Sequence, residues 1–214
     1  SLTLEENTPY KVHQRKKIQL CYNHFSKYFD NCLFLDEEII RKYAIVKCIK
    51  ENDPKLEKLY LEFGVYVGTS INYFSKFVNK IYGFDSFEGL KEEWAGNTMI
   101  AGTFDLKKKI PPLNKNVVAI QGWIQNTLPV FLQENNKKIN FIHIDVDTYE
   151  TTKFILEHVK PRMEKNSIII FDELYNHIGW DKGEYQALQE VFKDSEYRFL
   201  AFSKEATKVV VQIL

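Results

Sequence analysis

Apolar positions follow a helical period in the first quarter of the chain and change to short runs after residue 58. Ile18, Leu20, Cys21, Phe25, Tyr28 and Phe29 fall on one face of a helix over residues 11–30. Asp36 is placed to cap a second helix that runs to about residue 52, where Asn52, Asp53 and Pro54 stop it. Residues 1–10 read as a loose end. The runs that follow are LYLEF (its core at 60–63), KIYGFD (80–85), NVVAI (116–120), INFIHIDVD (139–147) and NSIIIFD (166–172). Amphipathic stretches at Thr69–Asn79, Ile124–Glu134, Thr148–His158 and Gly183–Phe192 sit between them. Strand and helix in alternation, with near-continuous apolar strands, predict a parallel sheet covered on both faces. Two last runs, YRFLAFS (197–203) and TKVVVQIL (207–214), are separated only by Lys204 to Ala206. A link that short holds no parallel crossover, so this pair is expected to be antiparallel. The reading is therefore α/β: seven strands, mostly parallel with an antiparallel last strand, helices on both faces and an N-terminal helical appendage. The division expected is an N-terminal extension over 1–57 and a main domain over 58–214.

Composition narrows the class. The chain has 214 residues, enough for one domain with a sizeable core. Lys plus Arg equals Asp plus Glu at 29 each, which argues against a nucleic-acid groove or an electrostatic membrane anchor. No apolar run approaches the ~18 residues of a membrane span. The first residues lack the basic-then-apolar order of a secretory signal. Cys21, Cys32 and Cys48 form no C-x-x-C pair, which points to free thiols in a reducing, cytoplasmic setting.

The candidate chemistry sits where strands end. LEFGVYVGTS places Glu62, Gly64 and Gly68 as E-x-G-x-x-x-G, a tight turn that brings backbone close to a ligand. It is neither G-x-G-x-x-G nor a triphosphate loop. Asp85 closes the next strand at the spacing of a ribose acceptor; the alternative is a cap on the following turn. HIDVDTYE puts His143, Asp145 and Asp147 on one side of a strand, and FDEL adds Asp172 and Glu173. Asp145, Asp172 and Glu173 meet if those strands are neighbours, and their hard oxygen donors suit Mg²⁺, Ca²⁺ or Mn²⁺. His143 reads first as a satisfied core histidine. His177, in the loop YNHIGW, is better placed to touch a substrate. Trp123 either flanks an adenine or packs in the core. Trp94, Tyr175 and Trp180 are expected on loops at the same edge, as a platform for a sugar or as a lid core.

LEFGVYVGTS, YGFDSFEGL, QGWIQNTLP, HIDVDTYETT and FDELYNHIGWDKGEYQAL occur in the order found in the macrocin O-methyltransferase family, and the chain resembles that family over about residues 58–195. The resemblance implies a Rossmann-like class I methyltransferase fold, with 58–214 as the S-adenosylmethionine-binding domain. It implies cofactor contacts at Glu62, Gly64, Tyr66, Gly68, Thr69, Ser70, Asp85, Ser86, Gln121, Gly122 and Trp123. It places a divalent metal, usually Mg²⁺, on Asp145, Asp172 and Glu173, and an acid near the acceptor at Asp147; the candidate catalytic residues are Asp145, for the metal, and Asp147 or His177 as base. The family commonly has two aspartates where this chain has Asp172–Glu173. The function implied is metal-assisted O-methylation of a sugar or glycosylated small molecule, with no nucleic-acid or membrane partner. A homo-oligomer built through the N-terminal helices stays open. So do a non-catalytic methyltransferase-like module and a catechol or phenol methyltransferase.

Overall fold

The structure is a computed structural model and describes residues 7–53, 55–90 and 101–214. The elements are α1 (Pro9–Phe29), β1 (Leu33–Leu35), α2 (Glu37–Lys50), β2 (Leu59–Phe63), α3 (Thr69–Phe74), β3 (Ile81–Asp85), β4 (Val117–Gln121), α4 (Ile124–Glu134), β5 (Ile139–Ile144), α5 (Tyr149–Val159), β6 (Met163–Phe171), α6 (Glu184–Val191), β7 (Tyr197–Ser203) and β8 (Val209–Ile213). They form one sheet of eight strands in the order β1-β7-β8-β6-β5-β2-β3-β4. Only β8 runs against its neighbours, pairing antiparallel with β6 and β7. The link between β7 and β8, residues 204–208, is longer than expected but still too short for a parallel crossover. Every residue of the central strand β5 is buried, which is why INFIHI carries no alternation.

Seven of the strands follow the apolar runs. The eighth, β1, was not expected: Leu33–Leu35 pairs parallel with Ala201–Ser203 and extends the sheet beyond β7. Three residues are too few for a period-two signal to register. The N-terminal segment is also part of the core. Phe25 of α1 is fully buried with residues from α5, α6 and β7 on one face of the sheet. Ile40, Ala44, Ile45 and Cys48 of α2 are fully buried on the other face, with Ile71 and Phe74 of α3. The three cysteines are free thiols. Among the described residues no helix is long and apolar enough to cross a membrane.

Strands β2, β3 and β5 end at the same edge. The chain leaves β2 toward β3 on one side and returns to β5 on the other, so a crevice opens between the loops after β2 and β5.

Candidate active site

The crevice holds a cavity of about 370 Å³. Gly64 and Tyr66 line it after β2, Asp85 and Ser86 after β3, Trp123 before α4, and Asp145, Asp147 and Glu173 after β5 and β6. Gly64 has φ +87°, and a β-carbon there would overlap the carbonyl oxygen of Asp145. Gly68 has φ +82°, and its β-carbon would press on Leu113 Cδ2 at 2.8 Å. Gly64 thus holds the turn tight against the β5 loop, and Gly68 holds it against the segment carrying Pro112 and Leu113. Tyr66 (φ +46°) and Asp147 (φ +62°) carry side chains in the same left-handed region, a strain concentrated at the cavity wall.

Asp85 acts on the turn itself. Its Oδ2 accepts the N–H groups of Val65 and Tyr66, both at 2.8 Å, and its Oδ1 accepts that of Phe87 at 2.7 Å. Capping and cavity lining therefore coexist in one carboxylate. Of its four or so acceptor positions, one remains for a ligand.

Glu62 and Ser70 lie beneath the turn and outside the cavity wall. Ser70 Oγ donates to Glu62 Oε1 at 2.8 Å, and the other Glu62 oxygen meets His143 Nδ1 at 3.0 Å. His143 Nε2 reaches Asp172 Oδ1 at 3.4 Å, and Lys208 Nζ binds Asp172 at 2.9 Å and Glu37 at 3.0 Å. Arg41 joins through Glu37 at 3.1 Å. Three cations and three anions thus balance across β2, β5, β6 and β8. Burial works against a charged His143, but Glu62 and Asp172 outweigh it and push its pKa up to about 10. Burial likewise opposes ionisation of Asp172, but His143 and Lys208 hold it well below the usual carboxylate range. His143 is a core histidine, as expected, and a charged one.

Among the described residues the remaining acids form no ion pair, although the charge of His143 acts on Asp145. Asp145, Asp147 and Glu173 bring one oxygen each within 4.8 Å of one another; Asp172 groups with His143 and Asp145 instead. Burial first, then the charge of Asp172, pushes the Asp147 pKa up to about 6. The same two causes raise Asp145 and Glu173 well above their ordinary range. Glu173 Oε2 is buried with no hydrogen-bond partner, and so is Glu184 Oε1. An all-oxygen donor set with orphaned buried oxygens fits a hard divalent cation.

The other expected residues are dispersed. His177 does not line the cavity: its Nε2–H donates to the Glu173 carbonyl at 2.9 Å and its Nδ1 accepts the Gly179 N–H at 3.2 Å. Gln121 donates to the Lys108 carbonyl, away from the cavity, and Gly122 binds the Asp85 carbonyl. Thr69 starts α3 behind Gly68. Tyr175 and Trp180 are buried against Phe25 of α1, in the manner of a lid core. Trp94 lies outside the described residues. Sequence reasoning missed Phe104, which packs edge-on to Tyr66 at 5.1 Å and lines the cavity, because AGTFDL shows no period. It also missed Glu184, which reads as an ordinary acid in a first helical turn.

Residues 61–174 match the family model described as a methyltransferase domain. The chain belongs to that family. It is an S-adenosylmethionine-dependent methyltransferase. Among solved structures, the calicheamicin methyltransferase CalS11 is 20% identical, with 99% of this chain and 97% of that one covered and a TM-score of 0.64. CalS11 is also described as a TDP-rhamnose 3′-O-methyltransferase. The O-methyltransferase NovP is 18% identical over 82% of this chain and 78% of its own, with a TM-score of 0.59. An O-methyltransferase from Bacillus cereus is 12% identical over 93% and 91%, with a TM-score of 0.52. At these identities the likeness shows the fold. No curated protein matches the chain.

Proposed function

We propose that this methyltransferase transfers a methyl group to a hydroxyl of a sugar or glycosylated small molecule, with help from a divalent cation. The observation that carries the reading is the half-buried group formed by Asp145, Asp147 and Glu173 at the cavity wall, which among the described residues forms no ion pair with a cationic side chain. The overall likeness to CalS11, itself described as acting on TDP-rhamnose, supports a saccharide acceptor.

Gly64 and Tyr66 would cradle the cofactor, Asp85 and Ser86 its ribose, and Trp123 its adenine. When bound, S-adenosylmethionine would supply an electrophilic methyl group, and Asp145 and Glu173, with Asp172 behind them, would hold a divalent cation that would lower the pKa of the acceptor hydroxyl. Asp147 is the base: it faces the cavity, and a pKa near 6 leaves it ionised at neutral pH yet basic enough to hold the acceptor proton. His177, with both ring nitrogens on the main chain, holds the loop that follows Glu173. The charged chain through Glu62, His143 and Asp172 ties the cofactor turn to the acidic group, so both sites keep one geometry.

Calorimetric titration of the full chain with S-adenosylhomocysteine, with and without Mg²⁺, tests the cofactor site; micromolar binding is expected. A screen of nucleotide-linked sugars with labelled cofactor then tests the acceptor class. Asp147→Asn is expected to lower kcat by about 10²–10⁴-fold while leaving S-adenosylhomocysteine affinity unchanged. Full activity in that variant removes Asp147 as base, and turnover of free phenols in preference to sugars overturns the acceptor assignment.

A further inference from the structure

Glu184 opens α6 and is 2% exposed. Its Oε2 accepts the main-chain N–H of Glu173 at 2.9 Å. Its Oε1 is buried and has no hydrogen-bond partner, and Glu173 Oε2 is in the same state. The cations of this region are committed elsewhere: His143 to Glu62 and Asp172, Lys208 to Asp172 and Glu37, Arg41 to Glu37 and Asp172. The dipole of α6 offsets part of one charge only. A buried carboxylate oxygen left unpaired persists where something else neutralises it, and Glu173 and Glu184 each carry one here.

Resting on the metal-assisted reading above, we infer that Glu184 is a positioning residue for a divalent, oxygen-preferring cation held by Asp145 and Glu173. Its two oxygens divide the work. Oε2 clamps the Glu173 main chain, so that the Glu173 carboxylate is presented from a fixed backbone. Oε1 adds negative charge to the same acidic group. Glu184 stands outside the set whose oxygens lie within 4.8 Å of one another, so it acts through Glu173 and through its charge. Groups of this kind behind a metal's ligands are worth about 10–100-fold in affinity.

The test is Mn²⁺ binding to the full chain, followed by the loss of the free-ion electron paramagnetic resonance signal in the presence of S-adenosylhomocysteine. Glu184→Gln keeps an acceptor for the Glu173 N–H and the side-chain shape but removes the charge. It is expected to weaken Mn²⁺ binding by about tenfold or more, with S-adenosylhomocysteine affinity and Tm unchanged. Glu184→Asp keeps the charge and is expected to bind Mn²⁺ more tightly than the Gln variant. Mn²⁺ binding by Glu184→Gln equal to that of the parent overturns the inference. So does a loss of Mn²⁺ binding that comes with an equal loss of cofactor affinity and Tm, or an Asp variant no better than the Gln variant. A parent protein that binds S-adenosylhomocysteine but no Mn²⁺ overturns both this inference and the metal-assisted part of the proposed function, and leaves methyl transfer standing.

Discussion

Gly64 is the residue where backbone and chemistry meet. Its φ of +87° suits glycine, and the space a β-carbon needs is taken by the Asp145 carbonyl oxygen. The turn after β2 and the acidic loop after β5 therefore pack main chain to main chain, with Asp85 pinning the turn from the third side. Gly64→Ala forces one of these to move. It is expected to cost about 2 kcal/mol, or roughly 4–8 °C in Tm, and to abolish measurable S-adenosylhomocysteine binding. Thermal denaturation and calorimetry on the same preparation check both. Retained binding with only a lower Tm would mean that the loop shifts without disturbing the cofactor site.

At the scale of elements, the N-terminal helices decide how far the catalytic sheet depends on its surroundings. Phe25 of α1 meets Tyr175, Trp180, Tyr185, Phe199 and Phe202 edge-on, with ring centroids 4.9–6.1 Å away. Tyr175 and Trp180 belong to the loop that follows Asp172 and Glu173, so α1 packs directly behind the acidic site. An extension that folds apart from the domain would make Phe25→Ala nearly neutral. A shared core makes it cost about 3–5 kcal/mol, as for other buried aromatic truncations. The larger value is expected, measured as the change in urea midpoint with an unchanged denaturant slope. Strand β1 adds to the same dependence, since Leu33–Leu35 covers the edge of β7.

For the molecule as a whole, the buried charge chain sets how stability responds to pH. The folded pKa of His143, about 10, lies above its unfolded value of about 6.5. The folded state binds the proton more tightly, so this stabilisation is complete below about pH 6.5 and is lost as pH rises through about 10. Asp172 works in the opposite sense: its folded pKa is depressed, so its contribution is present above about pH 4 and is lost on acidification. Tm is therefore expected to fall as pH is raised from about 7 to about 10, and His143→Gln is expected to flatten that limb while lowering Tm at neutral pH. A parent protein whose Tm does not change over that range would show that His143 is neutral in the fold.

Much of the architecture was legible in the chain itself. Alternation of apolar runs and amphipathic stretches placed α4 and β3–β8 to within a few residues, and the short link after β7 alone required the antiparallel pair. These are local properties: a period, a run, a loop too short to cross. The glycine turn, Asp85 and the acids after β5 and β6 were legible for the same reason, since each stands at the end of a recognisable strand. What tertiary structure decided is how those acids divide. Asp172 pairs with Lys208, a residue 36 positions away, just before the strand that runs antiparallel to β6, while Asp145, Asp147 and Glu173 are left with one another and with Glu184. No spacing in the sequence carries that information, because a buried charge takes its character from whichever partners the register of β5, β6 and β8 sets against it, and that register exists only once the sheet has formed.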